Sequence, residues 1–243
     1  MKQLGCLIAS VILAYIPVVN AEQSSELLIM SDNAPPHVIE KTNAGIDIDL
    51  TLAVLQSMGM PARVEFAPLS RGKKLVESKM ADLFVPTFFQ QDTNGIFVSN
   101  AIIEYRPTLF SIEPLLGNVS NFSQIKDKKV ATFQGAIGYF GKDFEQMSKV
   151  NYYREVHDMS MLPKMLINKE VDVVFLDYYI FYYFLKEEGL NAERANIKSN
   201  EQLLSNISAH VGFNNKQLRD EFNQALKALT PAIKNQIINQ YIH

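Results

Sequence analysis

The chain has 243 residues, of which 47% are hydrophobic and 20% charged, and a formal net charge of −3 at neutral pH. This composition is typical of a globular protein and excludes a disordered or fibrous one. No block of basic residues provides the charge that nucleic-acid binding needs, so we expect no nucleic-acid partner.

The first 21 residues have the features of a secretory signal peptide. Lys2 supplies the positive start, residues 7–19 form an apolar run, and Val19-Asn20-Ala21 offers a cleavage site before Glu22. The run is shorter than the roughly 18 residues that a membrane span needs, and no later segment reaches that length. We therefore predict cleavage and a soluble protein in the periplasm without stable membrane insertion, with an uncleaved N-terminal anchor as the alternative.

The chain has a single cysteine, Cys6, which lies inside the predicted signal peptide. We therefore expect no disulfide and no cysteine-based metal site in the mature protein. A lipoprotein signal places its cysteine after the apolar run, whereas Cys6 precedes it, so we expect no lipid anchor. Four histidines lack the spacing of zinc ligands, and we expect neither a metal nor a cofactor. They are His37, His157, His210 and His243.

Strands and helices alternate in the first part of the mature chain, a pattern typical of a parallel sheet covered by helices. The predicted elements are a strand at 26–30, a helix that opens at 45–50 and ends at Gly59, a strand at 63–66, a helix at 71–79 capped by Ser70, and a strand at 82–85. An extended stretch at 105–112 then leads to Glu113-Pro114, where we expect the chain to cross into a second lobe.

A second alternation follows. Its predicted elements are strands at 129–133, 152–156 and 171–176, helices at 135–148, 159–168 and 178–188, a strand at 208–213 and a helical tail at 216–241. We therefore predict an α/β fold of two lobes with a ligand cleft between them, at the carboxyl ends of the strands. The predicted units are a signal peptide at 1–21, the first part of lobe 1 at 22–112, lobe 2 at 113–207 and a return to lobe 1 at 208–243.

Four segments carry a resemblance to a known family. They are Gly45-Ile46-Asp47-Ile48-Asp49-Leu50, Ala81-Asp82-Leu83-Phe84, Lys128-Lys129-Val130-Ala131 with Gln134-Gly135, and Val171-Asp172-Val173-Val174-Phe175-Leu176-Asp177. In order and spacing they resemble the periplasmic solute-binding proteins of polar amino-acid ABC transporters, called extracellular solute-binding protein family 3. The resemblance covers essentially the whole mature chain and implies a two-lobed periplasmic-binding-protein fold of type II.

The resemblance implies that Asp177 holds the ammonium group of a bound solute. The residues alone are consistent with this, because Asp177 directly follows a predicted parallel strand and so faces the cleft. The alternative is that Asp177 caps the following helix, a common use of aspartate.

The chain departs from the family pattern where a solute carboxylate would bind. Family members that bind α-amino acids carry an arginine shortly after the third strand, whereas residues 88–94 contain no cation. The aromatic residue expected after the first strand is also missing from residues 33–37, although Thr87 retains a hydroxyl. The ammonium side of the pocket is thus predicted to be kept and the carboxylate side lost.

Several other residues are candidates for the cleft. Arg71 stands at a helix start, where the helix dipole disfavours a cation, so we predict either a solute contact or a solvated side chain. Gln134 and Gly135 would let the next helix present N–H groups to an anionic solute group. His37 is a candidate to point into the cleft, with an exposed loop histidine as the alternative. Four aromatic residues that follow strand ends or the glycine turn are predicted pocket walls: Phe88, Phe89, Phe133 and Tyr139.

The leading hypothesis is a monomeric, non-enzymatic protein that captures a small polar solute by lobe closure. The solute is an amino acid or amine-like, and the partner is an ABC permease or a sensor domain. A periplasmic enzyme of the cyclohexadienyl dehydratase type is the second hypothesis, with Asp177 and His37 as candidate acid–base groups, although no catalytic constellation is visible. A structural or sensory domain that has lost its ligand is the third.

Overall fold

The computed structural model describes residues 26–149 and 152–243, which form two α/β lobes. The predicted signal peptide at 1–21, with Cys6, lies outside the described residues. The strands are β1 (Leu27–Ser31), β2 (Ala62–Phe66), β3 (Leu83–Thr87), β4 (Phe97–Val98), β5 (Ile103–Tyr105), β6 (Pro107–Ser111), β7 (Lys129–Phe133), β8 (Tyr152–Val156), β9 (Val173–Asp177), β10 (Lys198–Asn200) and β11 (Ile207–Phe213). The α-helices are α1 (Ile46–Ser57), α2 (Leu69–Glu77), α3 (Ala136–Phe140), α4 (Lys142–Ser148), α5 (Met161–Ile167), α6 (Tyr178–Glu187), α7 (Lys216–Ala228) and α8 (Pro231–Ile242).

The sheet of the first lobe has the strand order β2-β1-β3-β11-β4, and β5 also pairs with β11. β1 is parallel to β2 and β3, as the βαβαβ pattern predicts, whereas β11 is antiparallel to its neighbours. Side chains from the sheet, α1 and α7 form one core that includes Ile29, Leu83, Ile48 and Phe222, all without solvent exposure. Full burial of such a side chain stabilises the fold by about 1.5–3 kcal/mol.

The sheet of the second lobe has the order β10-β6-β9-β7-β8. β7 is parallel to β8 and β9, while β6 is antiparallel to β9. Its core is rich in phenylalanine: Phe110 of β6 stacks on Phe181 of α6 with ring centroids 3.7 Å apart, and Phe175 of β9 contacts Phe144 of α4 edge-on. The aromatic start of α6 is therefore used mainly for packing.

The chain crosses between the lobes twice. β5 pairs with β11 in the first sheet, whereas β6 starts two residues later and pairs with β9 in the second. The first crossing is therefore at Arg106, and the prediction that it lies at Glu113-Pro114, with residues up to 112 in lobe 1, is wrong. The extended pattern of this stretch marked a strand but not the sheet that receives it. The return crossing lies at 201–206, between β10 and β11.

The helices of the second half are shorter than their predictions. The helix predicted at 135–148 is divided into α3 and α4 at Gly141, whose φ of 86° does not fit an α-helix. The tail predicted as one helix at 216–241 consists of α7 and α8, and Pro231 begins the second because the first helical residue needs no N–H donor. α8 packs against α1 of the first lobe and α6 of the second.

The predicted cap of the second helix is also wrong. α2 begins at Leu69 after Pro68, and Ser70 lies inside its first turn. The carboxylate of Asp32 accepts the Leu69 N–H at 3.3 Å and so takes the role predicted for Ser70. None of the described helices is long and apolar enough to cross a membrane.

Candidate functional site

A cluster of buried polar side chains lies where the two lobes meet. His37 is in the segment between β1 and α1, Asp47 in the first turn of α1, Tyr105 at the end of β5 and Asp177 at the end of β9. Their exposed fractions are 1%, 0%, 6% and 5%. Three residues of the first lobe therefore enclose one carboxylate of the second.

His37 connects the two carboxylates of the cluster. Its Nδ1 lies 3.0 Å from Oδ1 of Asp47, and its Nε2 lies 3.3 Å from Oδ1 of Asp177. The Tyr105 hydroxyl donates to Oδ2 of Asp47 at 2.7 Å, and the Tyr105 ring stacks on the imidazole at 3.7 Å. Because both ring nitrogens face carboxylate oxygens, the arrangement favours the doubly protonated imidazolium.

The electrostatics of the cluster agree with a charged histidine. Burial alone would lower the pKa of His37, but the charge of Asp47 and the hydrogen bonds from both carboxylates outweigh it and raise the pKa to about 9. Burial, followed by the nearby charge of Asp47, raises the pKa of Tyr105 well above its usual value. At neutral pH the cluster thus contains an imidazolium and a neutral phenol.

A glycine places His37 against α1. Gly45 precedes α1 with a φ of 133°, and a Cβ there would lie 2.5 Å from the His37 carbonyl oxygen. That oxygen accepts the Asp47 N–H at 2.9 Å, so the backbones of the two segments are in direct contact. The Gly45-Ile46-Asp47 motif therefore brings the carboxylate of Asp47 to the imidazole of His37.

Asp177 caps α6, the alternative that the sequence left open. Its Oδ1 accepts the N–H groups of Tyr179 at 2.9 Å and Ile180 at 3.2 Å, in addition to the contact with His37. Its Oδ2 accepts the Arg106 N–H at 2.6 Å, which is the one hydrogen bond to Oδ2 among the described residues. A contact of Asp177 with a solute stays a prediction, and it would use this remaining oxygen position.

Other predicted residues surround the cluster in the first lobe. Thr87 ends β3, is buried, and accepts the Phe89 N–H on its hydroxyl at 3.3 Å. Phe88 follows it, is 38% exposed and meets the Tyr105 ring edge-on at 5.4 Å. Phe88 is therefore an exposed aromatic surface directly next to the buried cluster.

The aromatic residues predicted in the second lobe also lie together. Phe133 ends β7, and its ring meets the Tyr139 ring of α3 edge-on at 5.5 Å. Burial raises the pKa of Tyr139, and the charges of Asp177 and Asp47 raise it further, so Tyr139 lies within electrostatic range of the cluster. Phe133 and Tyr139 therefore form one aromatic contact within the second lobe, and the charges of the buried cluster act on Tyr139.

The turn before α3 is occupied by the protein's own carboxylate. Glu155 accepts the Gly135 N–H at 2.9 Å, and the Tyr153 hydroxyl together with this N–H lowers the pKa of Glu155. Gln134 is exposed and its Oε1 lies 3.1 Å from Nδ1 of His157. The anion-binding role of Gln134 and Gly135 stays a prediction, but Glu155 already takes the N–H of Gly135.

Arg71 is exposed on α2, and its side chain has no hydrogen-bond or ion-pair partner among the described residues. Arg106, by contrast, forms an ion pair. Its Nε and Nη2 donate to the two carboxylate oxygens of Glu201 at 2.7 and 2.6 Å, and its guanidinium lies 4.1 Å from the centroid of the Tyr178 ring. Arg106 and Glu201 thereby join the two crossing segments.

Sequence reasoning missed the partners of His37. Asp47 belongs to the motif at 45–50, at the start of α1, but nothing in the spacing of that motif indicates a contact with a histidine ten residues earlier. Tyr105 lies 58 residues after Asp47 in the chain, so no local pattern joins them. Within 26–149 and 152–243, no group of three or more histidine, cysteine or acidic side chains is placed to hold a metal ion.

Comparison with known proteins shows the fold. No protein-family model and no curated protein matches the sequence. Solved structures do match. An ancestral cationic amino acid solute binding protein matches at 13% identity, with a TM-score of 0.70 over 90% of this chain and 96% of that one. The second substrate binding domain of a putative amino acid ABC transporter from Streptococcus pneumoniae matches at 19% identity, with a TM-score of 0.66 over 90% of this chain and all of that one. The GluR0 ligand-binding core, in complex with L-glutamate, matches at 16% identity, with a TM-score of 0.64 over 91% of this chain and all of that one.

These similarities confirm the predicted α/β fold of two periplasmic-binding-protein-like lobes. The resemblance inferred from the four sequence segments is thereby confirmed at the level of the fold. At such low identity the solute of a neighbour is a property of that neighbour alone.

Proposed function

We propose that this chain is an exported binding protein that captures a small polar solute, an amino acid or an amine, between its two lobes. The supporting observation is the convergence of side chains from both lobes at their boundary, where Asp177 of the second lobe lies 3.3 Å from His37 of the first and Tyr105 stacks on that imidazole. Similar structures with the same two lobes are amino-acid-binding proteins.

The cleft chemistry suits a solute with a cationic or polar end and an apolar body. Asp177 offers a carboxylate oxygen, Thr87 a hydroxyl, and Phe88 with Tyr139 provides aromatic walls. Arg71 is the candidate for binding a solute carboxylate, because Arg106 is bound to Glu201 and the N–H of Gly135 to Glu155.

The signal peptide predicted at 1–21 supports a place in the periplasm, where the partner of a monomeric binding protein is an ABC permease or a sensor domain. Lobe closure around the solute would present the surface that such a partner recognises. The separation of the two sheets by two crossing segments, at Arg106 and 201–206, supports such a motion.

A ligand-dependent thermal shift tests the proposal. The melting temperature of the mature protein is measured with each member of a panel of amino acids, amines and other polar metabolites. In parallel, any small molecule released on denaturation is identified by mass spectrometry. A solute at 100 times its Kd raises the free energy of unfolding by about 2.7 kcal/mol. Absence of any concentration-dependent stabilisation, together with an empty denatured extract, would overturn the proposal.

Two variants locate the binding surface. Phe88→Ala removes the exposed aromatic wall and is expected to reduce the shift, while Ile233→Ala, an apolar side chain of α8 that is 42% exposed, is the control. Arg71→Gln is expected to reduce the thermal shift for solutes that carry a carboxylate and to leave the shift for amines unchanged. Arg194→Gln, an exposed arginine in the segment between α6 and β10, is its control.

The contact of His37 with Asp177 favours one second candidate, an acid–base enzyme, since both residues were candidates for that role. Their burial, at 1% and 5% exposure, leaves no path for a substrate without movement of the lobes. Turnover of a stabilising compound, lost in His37→Gln, would establish the enzyme. A stabilising compound recovered unchanged after prolonged incubation would reject it.

A further inference from the structure

The contact between His37 and Asp177 joins the two lobes directly. His37 belongs to the first lobe. Its Nδ1 contacts the carboxylate of Asp47, and its carbonyl oxygen accepts the Asp47 N–H. Asp177 belongs to the second lobe, where its carboxylate caps α6. The imidazole therefore forms a bridge from a fixed position in one lobe to a fixed carboxylate in the other.

Aromatic rings from both lobes enclose the imidazole, Tyr105 from β5 of the first lobe and Tyr179 from α6 of the second. The Tyr105 ring stacks on the imidazole at 3.7 Å, the Tyr179 ring meets it edge-on at 5.7 Å, and the side chain is 1% exposed. The contact to Asp47 is 3.0 Å long and the contact to Asp177 is 3.3 Å long. The weaker of the two contacts is thus the one that crosses the lobe boundary.

We propose that the His37 imidazolium is a latch that holds the two lobes together through its contact with Asp177. Loss of the proton or of the side chain releases the second lobe. The latch does not depend on the proposed solute. Its consequence does rest on the proposed function: a solute ammonium that binds Oδ2 of Asp177 competes with the imidazolium on Oδ1 for the negative charge of that carboxylate.

Between pH 7 and pH 10, His37 is the group of this cluster whose charge changes. Two carboxylates and two rings face the imidazole: Asp47 from α1, Asp177 from the end of β9, Tyr105 from β5 and Tyr179 from α6. Tyr139 from α3 and Arg106 from the first crossing lie further out. Burial raises the pKa of each of the three tyrosines Tyr105, Tyr139 and Tyr179 above its usual value, so they stay neutral while His37 loses its proton. Arg106 stays charged because Glu201 raises its pKa despite its burial.

An interlobe distance measured without solute tests the latch. Met80→Cys and Tyr152→Cys place spin labels on two strongly exposed sites, at 69% and 79% exposure, one in each lobe. The sole native cysteine, Cys6, lies in the predicted signal peptide, so the labelled mature protein carries no other thiol. The protein is denatured and refolded before labelling to remove any bound small molecule.

The expected result is one narrow distance distribution at pH 7 that becomes longer and broader at pH 10. In His37→Phe, which keeps the aromatic stacking, the long distribution is expected already at pH 7, with no further change at pH 10. The control His243→Gln, an exposed histidine at the C-terminus, should behave like the unmodified protein. An unchanged distribution between pH 7 and pH 10 in the labelled parent protein overturns the proposal, even when His37→Phe fails to fold. Solute binding is not involved in this result, so its failure is distinct from a failure of the proposed function.

Discussion

Arg106 and Glu201 form a two-hydrogen-bond ion pair between the two segments that connect the lobes. The guanidinium donates from Nε and Nη2 to the two carboxylate oxygens at 2.7 and 2.6 Å, and the two side chains are 31% and 34% exposed. The same arginine gives its backbone N–H to Asp177. One residue at the first crossing thus contacts both the return crossing and the cap of α6.

Breaking this pair tests its contribution to stability. Glu201→Gln removes the charge and one acceptor oxygen, and because the pair is part exposed we expect a loss of about 1 kcal/mol in the free energy of unfolding. The control is Glu188→Gln, which breaks the pair of Glu188 with Lys164 at 2.6 Å away from the crossings. Urea denaturation measures both. Equal effects of the two variants would show that the Arg106 pair is no more than an ordinary surface contact.

The raised pKa of His37 predicts a stability that depends on pH. The histidine has a pKa of about 9 in the folded protein and about 6.5 in the unfolded chain, so its stabilisation is complete below pH 6.5 and is lost as the pH rises to about 9. At 1.36 kcal/mol per pKa unit the total is about 3 kcal/mol. Urea denaturation between pH 6 and pH 9.5 should show this decline in the parent protein and a flatter profile in His37→Gln. A parent profile that stays flat over this range contradicts the prediction.

Asp177 should matter more than an ordinary helix cap. Asp177→Ala removes both the cap of α6 and the partner of a buried imidazolium, a combination expected to cost about 3–5 kcal/mol. Asn215→Ala removes a cap alone, since the Asn215 side chain accepts only the Leu218 N–H at the start of α7, and should cost about 1 kcal/mol. Asp177→Asn keeps a capping oxygen and is expected to fall between them. If Asp177→Ala costs no more than Asn215→Ala, then Asp177 acts only as a cap.

Local sequence patterns were sufficient for most elements of the fold. The spacing of apolar residues placed α1 at its observed start, and the motif ending in Asp177 placed β9 and the start of α6. The patterns failed where a choice between two sheets was needed. β6 is buried along its whole length and reads equally well as a strand of either lobe, so the crossing at Arg106 was not predictable from periodicity.

The site was predictable only in part, because its contacts join distant residues. His37 and Asp177 were both candidates, yet their contact spans 140 positions and no local pattern encodes it. The cap formed by Asp177 was anticipated as an alternative because capping depends on the next three residues alone. The carboxylate of Glu155 at Gly135 was not anticipated, since β8 and the turn after β7 meet only in the folded sheet.

Gly45 offers a test of how the backbone positions His37. Gly45→Ala would place a Cβ 2.5 Å from the His37 carbonyl oxygen and force a φ of 133° on an alanine, so the segment 36–38 must move away from α1. We expect a loss of more than about 2 kcal/mol and, in the folded fraction, a His37 pKa nearer to 6.5, because the imidazole no longer reaches Asp47. The control is Gly95→Ala, where φ is 77° and no atom lies within 4 Å of the new Cβ, so backbone strain acts alone and should cost about 1 kcal/mol. Histidine NMR resonances followed over pH report the pKa. A Gly45→Ala protein with the stability of Gly95→Ala and an unchanged His37 titration would show that another contact holds the imidazole in place.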